Sequence, residues 1–175
     1  YKSSSESGLV SLESYISRGN SEKKEIYYII AENEKIARTS PLLEAYKKIR
    51  AKIPDVHLVV AGADHPQHPG YLARYRAAGL EGVEFVGYVP QKLLAQVFRR
   101  AQVVVLPYNA APGTSGVFHL ACGFGRPVVA SNLPEIREIV ADGASAVLIP
   151  PGDVDALADA ITRLLVDEEA AEKMS

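Results

Sequence analysis

The stretch "VVVLPYNAAPGTSGVFHLACGFGRPVVAS", residues 103–131, decides the fold that the sequence predicts. It begins with "VVVLP" and ends with "PVVAS", and such valine-rich runs are typical of strands buried on both faces of a sheet. Between them, "PGTSG" indicates a loop and "VFHLACGFG" a helix that ends near glycine. Two strands connected through a helix form a parallel pair, so the stretch predicts a parallel sheet covered by helices.

The same alternation of strand and helix continues in both directions from this stretch. Further buried strands are predicted in "EIYYIIA" and "VHLVVAG", and two more strands are predicted in "VEFVGYV" and "SAVLIPP". Helices are predicted from Pro41, after Pro90, in "YLARYRAAGL", in "PEIREIVADG" and, capped by Asp153, through "DVDALADAITRLLVDEEAAEKM". We therefore expect one α/β domain with a single doubly wound, mainly parallel sheet of about six strands. An extra N-terminal helix is expected in "LVSLESYISR".

Composition narrows the classes of function. A chain of 175 residues with 47% apolar content is long enough for one globular core, and its net charge of −2 gives no reason to bind nucleic acid or anionic membrane. The apolar runs are much shorter than a membrane span, and we find no signal peptide. The single cysteine, Cys122, is expected to be a packing residue. These features predict a cytoplasmic location.

Ligands of open parallel sheets bind beyond the carboxyl ends of the strands, which makes the loops there the candidate site. Glycines at two strand ends and the residue after the second belong to it: Gly62, Gly87 and Tyr88. The strongest signal is "GTSG" at a helix start, where free backbone amides, two hydroxyls and the helix dipole suit a phosphate. Its residues are Gly113, Thr114, Ser115 and Gly116. An ordinary helix cap with glycine for tight packing is the alternative interpretation.

The remaining polar residues predict neither catalysis nor a metal site. His119 is more typical of a packed or surface histidine than of an acid or base, and the other three histidines lack a metal-ligand spacing with Cys or carboxylate. Arg99 and Arg100 end a helix and are expected to be solvated or paired, and Arg126 is expected to be structural. No catalytic residue, metal or other cofactor is therefore predicted from these positions.

From about Leu42 to Met174, the chain resembles the C-terminal donor-binding domain of GT-B glycosyltransferases of retaining family 4. The resemblance is carried by "LLEAYKKIRAKIPDVHLVVAG", "GVEFVGYVP", "VVVLPY", "GFGRPVVASNLPEIREIVADGASAVLIPPGD" and "LADAITRLLVDEEAAEKM". It implies a Rossmann-like domain that binds a nucleoside diphosphate sugar in a cleft. A second domain, missing from this chain, would hold most of the acceptor.

Two departures from that family bear on function. Members typically carry two glutamates eight apart around the phosphate-binding loop, and the matching positions here fall near Pro112 and Leu120. Members also usually place a Gly-Arg pair and a lysine after the first strand to hold the diphosphate. This chain has "AENEKIAR" there, in which only Lys35 or Arg38 offsets the charge of two glutamates.

Residues 1–48 have a different resemblance. "YKSS", "LVSLESYISR" and "KKEIYYIIAENEKIARTSPLLEAYKK" resemble the middle domain of Hsp90-type chaperones in residues and order. The two resemblances meet within "SPLLEAYKK", which suits both families. We therefore expect an engineered chimera, with an Hsp90-like segment in residues 1–48 and a glycosyltransferase-like remainder in residues 49–175 that fold as one domain. A natural glycosyltransferase with a divergent first unit is the alternative.

The resemblances imply a nucleotide-sugar-binding domain that does not transfer sugar by itself. Two alternatives stay open: a folding chimera with no ligand, and a natural transferase fragment that is active with its missing half. A client-binding chaperone module is disfavoured because the Hsp90-like segment is too short to be a domain. A disturbed first strand would expose sheet surface and favour a dimer.

Overall fold

The computed structural model describes residues 25–29, 41–62, 79–108, 116–140 and 146–174. Its strands are β1 (Glu25–Ile29), β2 (His57–Ala61), β3 (Val83–Gly87), β4 (Val103–Leu106), β5 (Val128–Ser131) and β6 (Ala146–Ile149). Its helices are α1 (Pro41–Lys52), α2 (Gln91–Arg100), α3 (Gly116–Gly123), α4 (Pro134–Arg137), α5 (Val154–Val166) and α6 (Glu168–Glu172). The strands form one sheet in the order β3-β2-β1-β4-β5-β6, and every pairing is parallel. The predicted doubly wound parallel sheet is confirmed.

The first strand lies at the centre of the sheet. Ile26 of β1 is in register with Leu58 of β2 on one side and with Val103 of β4 on the other. The strand order therefore reverses between β1 and β4, so that β2 and β3 extend one way and β5 and β6 the other. Because β1 is paired along both edges, it does not expose the sheet surface on which the expected dimer depended. The dimer itself stays a prediction.

Strands β2, β4 and β5 are buried along nearly their whole length, as continuous apolar sequences predict, whereas β3 and β6, at the two ends of the sheet, are only partly buried. In β4, Val103 and Val105 pack on one face of the sheet, and Val104 and Leu106 pack on the other. All four are 0% exposed. This alternation divides the core into two layers, and both must be covered by helices.

Helices α1 and α5 pack against each other over one of these layers. The apolar stripe of α1 consists of Leu42, Ala45, Tyr46 and Ile49, which recur at the helical period. The α5 stripe in the same layer consists of Leu157, Ala158, Ile161, Leu164 and Leu165. At the solvent side of this contact, Lys48 pairs with Asp155. One turn further along both helices, Lys52 lies 3.1 Å from Asp159.

Helices α2, α3 and α4 cover the other layer. They contribute mainly Val97, Phe98, Phe118, Ala121 and Ile136 to its core. The ring of Phe98 in α2 stacks on that of Phe124, just after α3, with centroids 5.4 Å apart and an angle of 14°. This stack connects α2 to the end of α3, and α3 begins at the candidate site.

Two predicted helices differ from the structure. α4 covers only Pro134–Arg137 of the predicted "PEIREIVADG" helix. The predicted long C-terminal helix is two helices, because Asp167 has extended backbone angles (φ −102°, ψ 93°) and its carboxylate accepts a hydrogen bond from the Ala170 amide at 2.9 Å. At the start of α5, the cap is confirmed, since Asp153 accepts from the Ala156 amide at 2.9 Å. The helices predicted in residues 9–18 and 71–78 lie outside the described residues.

The amino ends of the strands are tied together by polar contacts, and we call this side of the sheet the amino edge. The Tyr46 hydroxyl of α1 lies 3.0 Å from the Val56 carbonyl before β2 and 2.9 Å from the Glu81 carbonyl before β3. The Arg50 guanidinium donates to the same Glu81 carbonyl at 2.9 Å. Gly82, with φ +75°, leaves the room that this cluster needs.

Two further arginines form polar contacts with other elements at the amino edge. Arg100, at the end of α2, lies 2.9 Å from the carboxylate of Glu25, which is 5% exposed. Arg126, before β5, donates to the Ala101 carbonyl at 3.2 Å and to the Phe124 carbonyl at 3.1 Å. Both findings confirm the expectation that Arg100 is paired or solvated and that Arg126 is structural.

None of the described helices combines the length and the hydropathy that a membrane span requires.

Candidate functional site

The carboxyl ends of the six strands form the opposite side of the sheet, which we call the rim. Four of the predicted site residues are described there: Gly62, Gly87, Tyr88 and Gly116. The other five lie outside the described residues: Lys35, Arg38, Gly113, Thr114 and Ser115. The rim surrounds the point between β1 and β4 where the strand order reverses, and crevices at such points bind ligands in open α/β sheets.

Gly62 and Gly87 are in direct contact across the ends of β2 and β3. The Gly62 amide donates to the Gly87 carbonyl at 2.8 Å. Both residues have positive φ angles, 133° and 68° respectively, and the register between the two strands shifts after Val60. Glycine is suited to these conformations because other residues are strained at positive φ. The irregular strand ends therefore bring two predicted site residues together.

Tyr88 is the most exposed large apolar residue among those described, at 75%. It directly follows Gly87, so the turn at Gly87 directs the chain out from the end of β3. A side chain added at Gly87 or at Gly116 meets no atom within 4 Å. The described part of the rim thus combines open space at two glycines with an accessible aromatic ring.

Helix α3 begins at Gly116, on the rim, and continues back along the sheet. Phe118 and Ala121 anchor it in the core, whereas Leu120 is 37% exposed. Leu120 occupies one of the two positions at which the resemblance implies a glutamate, so this position offers no carboxylate to a ligand. His119 is exposed, and its ring contacts that of Phe118 edge-on at 6.2 Å. Pro112, the other such position, lies outside the described residues.

Neither an activated thiol nor a metal-binding cluster is found in the described part of the chain. Burial raises the pKa of the Cys122 thiol, which is the opposite of what a nucleophilic cysteine needs. Cys122 also packs beside the core of its layer, as predicted. Three or more His, Cys, Asp or Glu side chains do not gather in a metal-binding arrangement within these ranges.

Sequence reasoning missed one residue at the rim. Ser131 is the last residue of β5 and is 1% exposed, yet its Oγ has no hydrogen-bond partner within the described residues. The motif "VVAS" signals the end of a buried strand, but whether the hydroxyl there is paired depends on neighbours that are distant in sequence. The neighbouring Asn132 is exposed, and its amide donates to the Ile149 carbonyl at 2.7 Å.

Solved structures of other proteins share this fold. The Anabaena protein HepE, in complex with UDP and glucose, superimposes with a TM-score of 0.74 at 20% identity, over 87% of this chain and 41% of that one. The C-terminal domain of the glycosyl transferase group 1 family protein LpcC from Francisella tularensis superimposes with a TM-score of 0.71 at 22% identity. That match covers 87% of this chain and 80% of the domain. At these identities the likeness concerns the fold alone.

Two kinds of curated relative match in sequence. The phosphatidyl-myo-inositol mannosyltransferase of Mycolicibacterium smegmatis is 32% identical over 129 residues, which are 73% of this chain. The chaperone protein HtpG of a Sulfurovum species is 68% identical over 53 residues, which are 30% of this chain and 8% of HtpG. The chain spans about a third of the length of the curated mannosyltransferases that it matches.

The sequence profile described as "Glycosyl transferases group 1" matches residues 23–167. This range begins before Leu42, where the resemblance was expected to start, and it includes β1 and α1. The match therefore takes in every described strand of the sheet and all of α1 to α5. By this match and the shared fold, the chain belongs to the glycosyl transferases group 1 family.

Proposed function

We propose that this chain is the nucleotide-sugar-binding domain of a retaining glycosyltransferase. The observation that carries the proposal is the open rim at the reversal of strand order, in a chain that belongs to this family. A rim with open glycines lets a ligand approach the backbone closely, and such approach is how glycine-rich loops bind phosphates. The donor is therefore a nucleoside diphosphate sugar.

Each rim residue has a role in the proposed site. Gly116 begins α3, whose positive end favours a phosphate, and Gly113, Thr114 and Ser115 would supply the amides and hydroxyls before it. The exposed Tyr88 ring offers a flat apolar surface on which a nucleobase can stack. Lys35 and Arg38 would supply positive charge beside the diphosphate.

UDP is the first ligand to test, because the HepE structure of the same fold holds UDP. The purified chain is titrated with UDP, GDP and ADP by calorimetry and by NMR chemical shifts. Saturable binding with shifts at Gly87, Tyr88 and Gly116 is expected. A cooperatively folded chain that binds none of the three would overturn the proposal and leave a folding chimera without a ligand.

Substitutions at two exposed apolar residues test whether Tyr88 binds UDP by stacking or whether the loss of any exposed apolar side chain weakens binding. Tyr88→Ala removes the rim ring and should weaken UDP binding roughly ten-fold, within the range of base stacking on aromatic side chains. Val166→Ala changes another exposed apolar residue, 62% exposed, at the end of α5 away from the rim. The Val166 variant should bind UDP like the parent chain, and equal losses in both variants would argue against the role of Tyr88.

Binding of the sugar donor and transfer of the sugar to an acceptor are separate predictions. We propose that the chain binds donor but does not transfer sugar alone, because the acceptor side of the cleft belongs to the remainder of a full-length transferase. The short span of the match to the mannosyltransferases supports this. Turnover of a UDP or GDP sugar with an acceptor by the isolated chain would contradict it. Turnover only after addition of an N-terminal half from a relative would favour a natural fragment.

We also propose that the chain is an engineered chimera, with residues 1–48 derived from an HtpG-type chaperone. Identity to HtpG is about twice the identity to the mannosyltransferase, although it covers far fewer residues. The borrowed turn "AENEKIAR" puts two glutamates where the family usually has diphosphate ligands. Exchanging Glu32→Gly and Glu34→Arg should therefore strengthen UDP binding, as calorimetry would measure. An unchanged affinity would show that this turn does not lie beside the ligand.

A further inference from the structure

Ser131 has a hydroxyl that the proposed function does not yet use. The residue is 1% exposed, and its Oγ has no hydrogen-bond partner in the described part of the chain. A buried hydroxyl is nearly always paired in folded proteins, because an unpaired one has lost its water without compensation. An exception of this kind in a native chain calls for a physical reason.

Ser131 lies at the rim end of its strand. Ser131 ends β5, and its register partner Ile149 ends β6, so both residues lie at the carboxyl side of the sheet. Val129, two residues earlier, packs in the layer beneath α1 and α5, and strand alternation puts the Ser131 side chain on that same face. The backbone after its Cα is held in place, since the Leu133 amide donates to the Ser131 carbonyl at 2.8 Å and the Asn132 amide donates to the Ile149 carbonyl at 2.7 Å.

We propose that Ser131 is a ligand-binding residue whose hydroxyl donates a hydrogen bond to a phosphoryl oxygen of the nucleotide when the rim adjusts around it. This inference rests on the proposed function and names a contact within it. Hydrogen bonds to charged oxygens are stronger than those between neutral groups. A hydroxyl without an internal partner has no bond to break before it binds, so part of the ligand's binding free energy comes from satisfying it.

The proposal predicts opposite effects of one substitution on stability and on binding. Ser131→Ala removes the unpaired hydroxyl, so without nucleotide its thermal midpoint should rise by roughly 2 to 4 °C. Its UDP affinity should fall about ten-fold, as expected for the loss of one hydrogen bond to a charged group. Its affinity for uridine, which lacks phosphate, should not change. Thermal unfolding and calorimetry with UDP and uridine measure all three.

Thr162 provides a matched control. Its Oγ1 is also buried without a partner in the described residues, but it lies in α5, about 12 Å further along the helix axis than Val154. Thr162→Val should stabilise the chain in the same direction and leave the affinity for UDP unchanged. Comparison of the two variants thus distinguishes the effect of removing any unpaired buried hydroxyl from the effect of removing the one at the rim.

The outcomes are distinct. A more stable Ser131→Ala variant with weaker UDP binding and unchanged uridine binding supports the proposal. A more stable variant with unchanged UDP affinity overturns it, as does a variant that is destabilised without nucleotide or that loses UDP and uridine equally. If the parent chain binds no UDP at all, both the proposed function and this inference fail. If the parent chain and Ser131→Ala bind UDP equally well, only this inference fails and the proposed function stands.

Discussion

The two sides of the sheet differ in how their polar groups are used. At the amino edge, Tyr46, Arg50, Arg100 and Arg126 each bind a carbonyl or carboxylate of another element. At the rim, two glycines have open space around them, Tyr88 is exposed, and a buried hydroxyl lacks a partner in the described residues. The amino edge therefore stabilises the fold, whereas the open groups of the rim are those that the proposed function assigns to a ligand. Substitutions at the two sides should therefore have separable effects.

The largest expected effect comes from a pair of glycines with similar φ angles. A Cβ at Gly82 (φ +75°) would lie 2.5 Å from the Tyr46 hydroxyl and 3.1 Å from the Val56 carbonyl, whereas one at Gly87 (φ +68°) meets nothing within 4 Å. Gly82→Ala adds a clash to the strain and should lower the free energy of unfolding by about 4 kcal/mol. Gly87→Ala adds strain alone, about 1 kcal/mol. Urea unfolding of both variants tests the contrast, and equal losses would contradict it.

The next effect concerns the buried ion pair at the amino edge. Arg100→Leu takes the guanidinium away from Glu25, whose side chain is 6% exposed, and should lower the free energy of unfolding by about 3 kcal/mol. Adding Glu25→Leu to this variant removes the buried charge, and much of the loss should return. Denaturant unfolding of the two single variants and the double variant gives the coupling free energy between Arg100 and Glu25. Strictly additive losses would show that the pair does not act as a unit.

Tyr46→Phe tests the hydroxyl that connects α1 to the turns before β2 and β3. Loss of its hydrogen bonds should cost about 1 kcal/mol at pH 7. Burial raises the pKa of Tyr46 above its ordinary value of 10.0, and the hydrogen bond from Arg50 only partly opposes this. The contribution of the neutral hydroxyl is therefore fully present below pH 10 and is lost as the pH rises through the folded-state pKa. Unfolding from pH 7 to 11 should show a steeper alkaline decline for the parent chain than for Tyr46→Phe.

The smallest effect is expected at the exposed ion pairs between α1 and α5. Lys52 and Asp159 are 56% and 73% exposed, so solvent and salt screen their attraction. Lys52→Ala should shift the thermal midpoint by less than about 2 °C, and added salt should reduce even this difference. A shift as large as that of Arg100→Leu would show that these surface charges, rather than the amino edge, hold α1 in place.

The sequence predicted the sheet well because its signals were local. Strands buried on both faces are continuous apolar runs, and Pro41 and Asp153 mark helix starts by their own chemistry. The break at Asp167 was missed because "VDEEAAEK" consists largely of residues that favour helix. The two helices instead meet at a bend from which Ala170 and Met174 pack against the core.

The site was predictable only in part. The shared location of Gly62 and Gly87 followed from the rule that ligands bind at the carboxyl ends of parallel strands, and the structure brings them into contact. The unpaired hydroxyl of Ser131 did not follow from any motif. Pairing depends on which atoms of other elements come within hydrogen-bond distance, and a serine at the end of a strand gives no information about them.

The central position of β1 has a consequence for biosynthesis. The register partner of Ile26 on one side is Val103, which leaves the ribosome only after β2, β3 and α2. Until then, one edge of an apolar strand has unpaired backbone groups, and such edges promote association between chains. Pairing of elements this distant in sequence also slows folding. The interval between the synthesis of β1 and that of β4 is therefore when a nascent chain most needs protection from aggregation.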